Sequence, residues 1–269
     1  MKSYILGFLL SLLFQYSHSS LAQIDSLKRS DVSRFTKGVV HNLTSPLRWD
    51  RKDWAHTGVL LLSTAAISCL DVPVNNFWHG KSDPTLDAIN DIGFHYGKPY
   101  SAIIATGGFY LTGIIIKNEW ARETGLILGT SLMTSGIIMS VLKPVIGRSR
   151  PEVDAGNYDF HPFTGLAKFH SLPSGHVAIA LTISLVLAKR VQSTPLKIFF
   201  YSLAASTIFC RLYSDAHWLS DEALAGGIAW FSASQSINQF SNPRYKRHTK
   251  TTVSLRPSIG GASLKITLN

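Results

Sequence analysis

Apolar positions along this chain gather in runs that are too long and too continuous for the alternation of a half-buried strand. Six runs stand out, at 56–70, 100–116, 124–142, 177–187, 198–210 and 223–237, rich in Leu, Ile, Ala, Gly, Ser and Thr. That length and content predict helices. Small residues recur inside them ("ATGG", "LGTS", "LAGGIAWFSAS"), which permits close helix packing in lipid and equally in a tight soluble bundle. Ahead of the first run, 23–53 reads as a polar amphipathic lead-in. Residues 1–22 read as an export signal: Lys2 supplies the positive start, 5–14 a short apolar core, and Ser20-Leu21-Ala22 a small-x-small cleavage site. An uncleaved anchor is the alternative, although the apolar core is shorter than the roughly 20 residues of a comfortable span. In the basic tail, 240–269, alternation at Leu264, Ile266 and Leu268 next to Gly260-Gly261 predicts a short β-hairpin.

Composition favours a membrane. The 269 residues are 45% hydrophobic and 16% charged, with a mean hydropathy of +0.14, where a soluble domain carries about 25% charged residues. The net charge is +10, and its cations sit in short loops: Lys189, Arg190 and Lys197, then Arg244, Lys246, Arg247 and Lys250. Such placement suits topology signals and excludes a nucleic-acid face, for which no RNA-binding, zinc-finger or basic-helix pattern is present. The two cysteines, Cys69 and Cys210, lie in or at the edge of apolar runs and read as small buried hydrophobes rather than a disulfide framework.

The polar residues at the helix ends carry the chemistry. If successive runs are antiparallel, the exit of the third, the entry of the fourth, the exit of the fifth and the entry of the sixth share one face. Lys143, Arg148, Arg150, Ser174, His176, Arg211, His217 and Asp221 then converge. Cations beside the free N–H groups of a helix start form an anion site, and phosphate is the commonest such anion. His217 and Asp221, at i and i+4, face one side of a helical turn. The carboxylate can therefore accept Nδ1–H and leave Nε2 free to attack. His176 is a second imidazole suited to protonating a leaving oxygen. No His, Asp or Glu cluster has metal-ligand spacing, so the reading includes no metal and no cofactor. Arg148 is open between a ligand and a topology charge. Asp215 reads as a turn residue and Trp218 as a packing or interfacial aromatic.

Lys143-x6-Arg150-Pro151, Pro173-Ser174-Gly175-His176 and Arg211-x5-His217-x3-Asp221 resemble, in order and spacing, the three-part signature of the type-2 phosphatidic acid phosphatase and vanadium haloperoxidase superfamily. The resemblance covers about 49–239. It departs only at Cys210, where the signature usually has Ser. It implies that His217 forms a phosphohistidine, that Asp221 orients it, and that His176 protonates the leaving group. Lys143, Arg150 and Arg211, with Ser174 and the Gly175 N–H, are implied to hold the phosphate.

The expectation is an all-α, six-helix membrane-embedded bundle over 54–239, with the active site at one end. It would be a metal-independent phosphatase of a membrane lipid phosphate or pyrophosphate in the bacterial inner membrane. A soluble periplasmic acid phosphatase for small monoesters is the alternative, and a vanadate-dependent haloperoxidase a remoter one. The basic loops opposite the site, with Lys117 and Arg122 among them, place that end in the cytoplasm and the site toward the periplasm. A cleaved leader followed by six spans would place it the other way, and the several basic loops are weighted above that single short segment.

Overall fold

The computed structural model describes residues 30–242 and the backbone of 251–258 and 261–268. The expected leader, 1–22, lies outside the described residues.

Six helices coincide with the six apolar runs, and three more were not expected from them. Helix α1, residues 30–43, lies within the lead-in. Helix α2 (Arg51–Ile67) starts on Asp50, whose carboxylate accepts the Lys52 and Asp53 N–H groups while Asp53 returns a bond to the Asp50 N–H. A 3₁₀ turn, Ser68–Leu70, leads into α3 (Asp71–Trp78). Helix α4 (Pro84–Tyr96) is capped by Asp83 with Pro84 at its first position, a start signal present in the sequence. Its apolar positions are too scattered to make a run. There follow α5 (Pro99–Ile115), α6 (Glu119–Ile146), α7 (Gly175–Arg190), α8 (Thr194–Tyr213) and α9 (Leu219–Ser241).

The stretches Arg51–Trp78, Glu119–Ile146 and Thr194–Tyr213 are long and apolar enough to cross a membrane. The distribution of side chains agrees with that. Leu62, Ile103, Ile104, Ile115 and Ile198 point outward, Ile115 at 77% exposure. Thr130, Thr134, Thr182, Ser184, Ser232 and Ser236 are fully buried. A chain whose solvent is lipid gains nothing by hiding Ile, and uses small hydroxylated residues to bring backbones together. Several of those hydroxyls bond within the bundle: Thr134 to the Thr130 carbonyl at 2.8 Å, Ser236 to that of Ser232 at 2.8 Å, and Ser184 to that of Phe200 at 2.7 Å. The chain is a membrane protein.

Helices α7 and α9 form the centre, with Val177, Ala180, Val186, Ala225 and Ala229 fully buried. At the end where α7 finishes, Glu123 accepts from Arg34 (3.5 Å) and Arg190 (3.2 Å), and Asp31 pairs with Arg122 (3.5 Å). This cluster ties α1 to α6 and α7. At mid-height the Asn42 amide donates to Thr134 (3.2 Å) and Ser236 (2.8 Å). In the tail, strands β1 (Thr251–Ser258) and β2 (Gly261–Leu268) pair antiparallel, with Thr251 opposite Leu268. Gly260 of the expected turn lies outside the described residues. Cys210 is buried as expected, whereas Cys69 is exposed, because it falls in the short turn between α2 and α3 rather than inside a packed helix.

Candidate active site

The site is assembled by the segment between α6 and α7. Gly147 closes α6 at φ +66°, where a Cβ would lie 1.9 Å from the His161 carbonyl oxygen, so only glycine fits the turn. From there the chain folds back on itself. The His161 N–H donates to the Gly147 carbonyl (2.7 Å), Arg150 N–H to Lys168 (3.1 Å) and Ser171 N–H to Arg148 (3.0 Å). Between α8 and α9 the Arg211 carbonyl accepts both the Ala216 and His217 N–H groups (3.1 and 3.3 Å), which fixes the backbone of His217. The Trp218 indole N–H donates to the Ser149 carbonyl (2.8 Å) and joins the two segments.

His217 and Asp221 are both buried, with Nδ1 3.4 Å from Oδ2. The same carboxylate oxygen accepts the Trp218 N–H at 2.9 Å, so Asp221 also caps the first turn of α9. The Ser171 hydroxyl donates to Asp221 Oδ2 and lies 3.5 Å from His217 Nδ1. Burial pushes the His217 imidazole down to about 3, although the Asp221 hydrogen bond and charge pull the other way. It is therefore neutral across the physiological range.

Arg148 sits beneath this pair. It is 2% exposed and donates to Asp221 Oδ1 (2.8 Å), Asp71 Oδ2 (2.6 Å), the Ser220 hydroxyl (2.7 Å) and the Asn157 carbonyl (2.6 Å). Asp71 in turn accepts the Ser220 N–H (2.8 Å) and hydroxyl (2.7 Å). Arg148 is thus neither a topology charge nor an accessible ligand. It is a buried bridge between two carboxylates.

On the other side of His217 the remaining cations gather. Lys143 donates to the His170 carbonyl (2.7 Å) and lies within charge range of Arg150, Arg211, Asp221 and Glu222. Arg150 reaches the carbonyls of Ala167 (3.2 Å) and Ala216 (3.4 Å). Arg211 is 7% exposed, and its Nε has no partner. Ser174 is the N-cap residue of α7, yet its hydroxyl makes no capping bond. Gly175 follows, where an added Cβ would meet the Lys143 side chain at 3.7 Å. His176 stacks on Phe94 (5.7 Å, 19°), feels the charges of Arg211, Lys98, Arg150 and Lys143, and leaves Nε2 unpartnered. Among the described residues no three His, Cys, Asp or Glu side chains stand together in a way that could hold a metal ion.

The structure therefore brings together Lys143, Arg150, Ser174, Gly175, His176, Arg211, His217 and Asp221. Asp215 is a turn residue at φ +50°, bonded to Asn75 and His79, and Trp218 is a packing aromatic. The sequence reading missed Asp71, Phe94, Lys98, Ser171 and Glu222, as well as Gly97, where an added Cβ would lie 2.8 Å from His176 Cβ. Most come from α3, α4 and the turn after α4, where only the Asp83-Pro84 start signal was there to be found. Ser171 stands two residues before Pro173 and Glu222 directly after Asp221, both outside the pattern.

Residues 124–245 match the family model described as the PAP2 superfamily. The lipid A 1-phosphatase of Rhizobium etli is 34% identical over 119 residues, 42% of this chain and 49% of the relative. That of Rhizobium johnstonii is 35% identical over 118 residues, 42% of this chain and 47% of the relative. The chain spans about half the length of the curated relatives it matches. Two crystal structures are similar: Aquifex aeolicus LpxE (TM-score 0.49, 20% identity, 63% of this chain and 95% of the other), and a transmembrane PAP2-type phosphatidylglycerolphosphate phosphatase from Bacillus subtilis (TM-score 0.45, 18% identity, 78% and 94%). Every site residue the sequence singled out lies within 124–245, the stretch that is similar to the PAP2 superfamily.

Proposed function

We propose that the protein is a phosphatase that removes a phosphate from a membrane lipid by way of a phosphohistidine, without a metal ion. Phosphate docks among Lys143, Arg150 and Arg211, with the Ser174 hydroxyl and the Gly175 N–H completing the cradle at the start of α7. His217, neutral and oriented by Asp221, attacks phosphorus in line as the bond to the lipid oxygen breaks. His176 gives its proton to that oxygen. Cations surround His176, so it gains the proton as the phosphate's negative charge enters. Water, giving a proton to His176, then attacks the phosphohistidine, frees inorganic phosphate and restores neutral His217.

The observation that carries this reading is the placement of a buried neutral His217 between a fixed carboxylate and a cluster of cations at one end of a membrane bundle. A groove of about 1210 Å³, lined in part by Leu60, Leu142, Leu224, Ile228 and Phe231, opens beside α2 and α9. Leu142 precedes Lys143 and Leu224 follows Glu222 by two, so the groove begins next to the phosphate cradle and suits an acyl chain. The curated relatives are lipid A 1-phosphatases, and lipid A bearing a 1-phosphate is the first substrate to try. Lys117, Arg122, Lys189, Arg190 and Lys197 lie at or near helix ends opposite the site, which favours a cytoplasmic position for that end of an inner-membrane protein and a periplasmic site.

The test is phosphate release from lipid A in mixed micelles, with a panel of other lipid phosphates beside it. Wild type releases phosphate with EDTA present and forms an acid-labile phosphoenzyme, and His217→Ala does neither. Turnover by His217→Ala rules out the mechanism. Reporter fusions after Gly165 and after Lys197 decide the orientation.

A further inference from the structure

One ionisable side chain in the phosphate cradle has no part in the scheme above. Glu222 is 4% exposed, and neither carboxyl oxygen has a hydrogen-bond partner. It stands within charge range of Arg211 and Lys143, and the Ser174 hydroxyl lies beside it. Those three residues are the ones assigned above to the phosphate. The orphaned polar atoms nearby, Ser174 Oγ, Arg211 Nε and His176 Nε2, mark the same place. A buried acid with both oxygens unsatisfied is costly and calls for an explanation.

The charges facing Glu222 can be counted. At neutral pH Lys143 of α6 and Arg211 of α8 are cations, and Arg150 adds a third to the same cluster. Ser174 and His176 of α7 are neutral, as are His217 and the buried Cys210 of α8. Its neighbour Asp221 is negative, but its charge is shared with Arg148 and Asp71 in a unit of net charge −1. An ionised Glu222 and a phosphate dianion would compete for the same cations, with like charges held a few ångströms apart.

We propose that Glu222 is a proton-operated occupant of the phosphate cradle: ionised, it takes the phosphate's place beside Arg211 and Lys143, and protonated, it yields that place and donates a hydrogen bond to a phosphate oxygen. Phosphate binding then carries one proton onto Glu222, and the site works best toward acid pH. The inference rests on the proposed phosphate cradle, but not on which lipid is the substrate.

The test is calorimetric binding of inorganic phosphate to the full-length protein in detergent between pH 5.5 and 8.5. Wild-type affinity falls as pH rises. Glu222→Gln keeps the size and the donor of the protonated acid, binds like wild type at pH 5.5, and binds about tenfold more tightly than wild type at pH 8.5, the effect of about 1.4 kcal/mol of relieved repulsion. Glu222→Met removes the acid with a side chain of similar length and also flattens the pH dependence, which keeps the test open if the amide disturbs folding. Glu222→Asp keeps the titrating group and the wild-type slope. Equal pH dependence in wild type, Glu222→Gln and Glu222→Met overturns the proposal. Phosphate binding with these slopes but no lipid turnover leaves it standing and overturns the lipid phosphatase reading instead.

Discussion

Arg148 offers the sharpest test of how the site is held. It bridges Asp71 and Asp221 at 2.6 and 2.8 Å with 2% of its side chain exposed, and both carboxylates are fully buried. Arg148→Met leaves two carboxylates facing each other with no cation between them. Breaking a buried pair in this way costs about 3–5 kcal/mol. Asp71→Asn is a milder change. Arg148 keeps Asp221, the Asn oxygen can still accept the Ser220 N–H, and what is lost is chiefly one charge-assisted bond, about 1.5–3 kcal/mol. The two residues share a partner, so the effects do not add. The double variant, which leaves one unpaired carboxylate rather than two, is no less stable than Arg148→Met alone.

The assay is thermal unfolding in detergent micelles, followed by tryptophan fluorescence, since Trp218 lies 5.7 Å from the Arg148 guanidinium. At about 2–4 °C per kcal/mol for a chain of this size, Arg148→Met unfolds roughly 6–20 °C below wild type and Asp71→Asn about half as far below. Phosphate turnover by Arg148→Met should fall through kcat rather than KM, because Arg148 touches Asp221 and not the cradle. An Arg148→Met protein as stable as wild type would refute the reasoning. So would an Asp71→Asn protein less stable than Arg148→Met.

Two further outcomes follow from particular contacts. A Cβ on Gly97 would lie 2.8 Å from both His176 Cβ and Thr207 Cγ2, so Gly97→Ala displaces His176 and lowers kcat about 10²-fold, the scale of a misplaced catalytic group; unchanged kcat in a folded Gly97→Ala protein contradicts this. The second concerns His217, whose pKa is about 3 in the folded protein against an ordinary 6.5. The unfolded chain binds a proton below pH 6.5 that the folded protein refuses. The stability from keeping His217 neutral is complete above pH 6.5 and is lost as pH falls toward 3, at up to about 1.4 kcal/mol per pH unit. Denaturation midpoints between pH 7 and 4.5 should decline less steeply in His217→Asn, and parallel declines would exclude the assignment.

Much of the site was legible because its residues stand at fixed offsets from helix ends. Lys143 near the end of α6, Ser174 to His176 at the start of α7, Arg211 in the last turn of α8 and Asp221 in the first turn of α9 meet once the helices are antiparallel, which short connections between apolar runs already imply. Asp71 and Ser171 were not legible. They are single residues in short segments without a run or motif, and only their approach to Arg148 and to the Asp221 carboxylate gives them meaning. Arg148 was visible as a cation, yet its sequence neighbours do not say whether it faces lipid headgroups, phosphate or another carboxylate.

The sequence by itself determined the helical class, the end of the bundle where the cations and the two histidines gather, and the set of residues that meets there, because these depend on periodicity and spacing along the chain. Only the tertiary structure decided which charges neutralise each other. Burial sets the energy of every ion in the site, and burial is a property of contacts between α3, α6, α7 and α9 that no local pattern encodes. It pairs Arg148 with Asp71 and Asp221, keeps His217 neutral, and buries Glu222 beside Arg211 and Lys143.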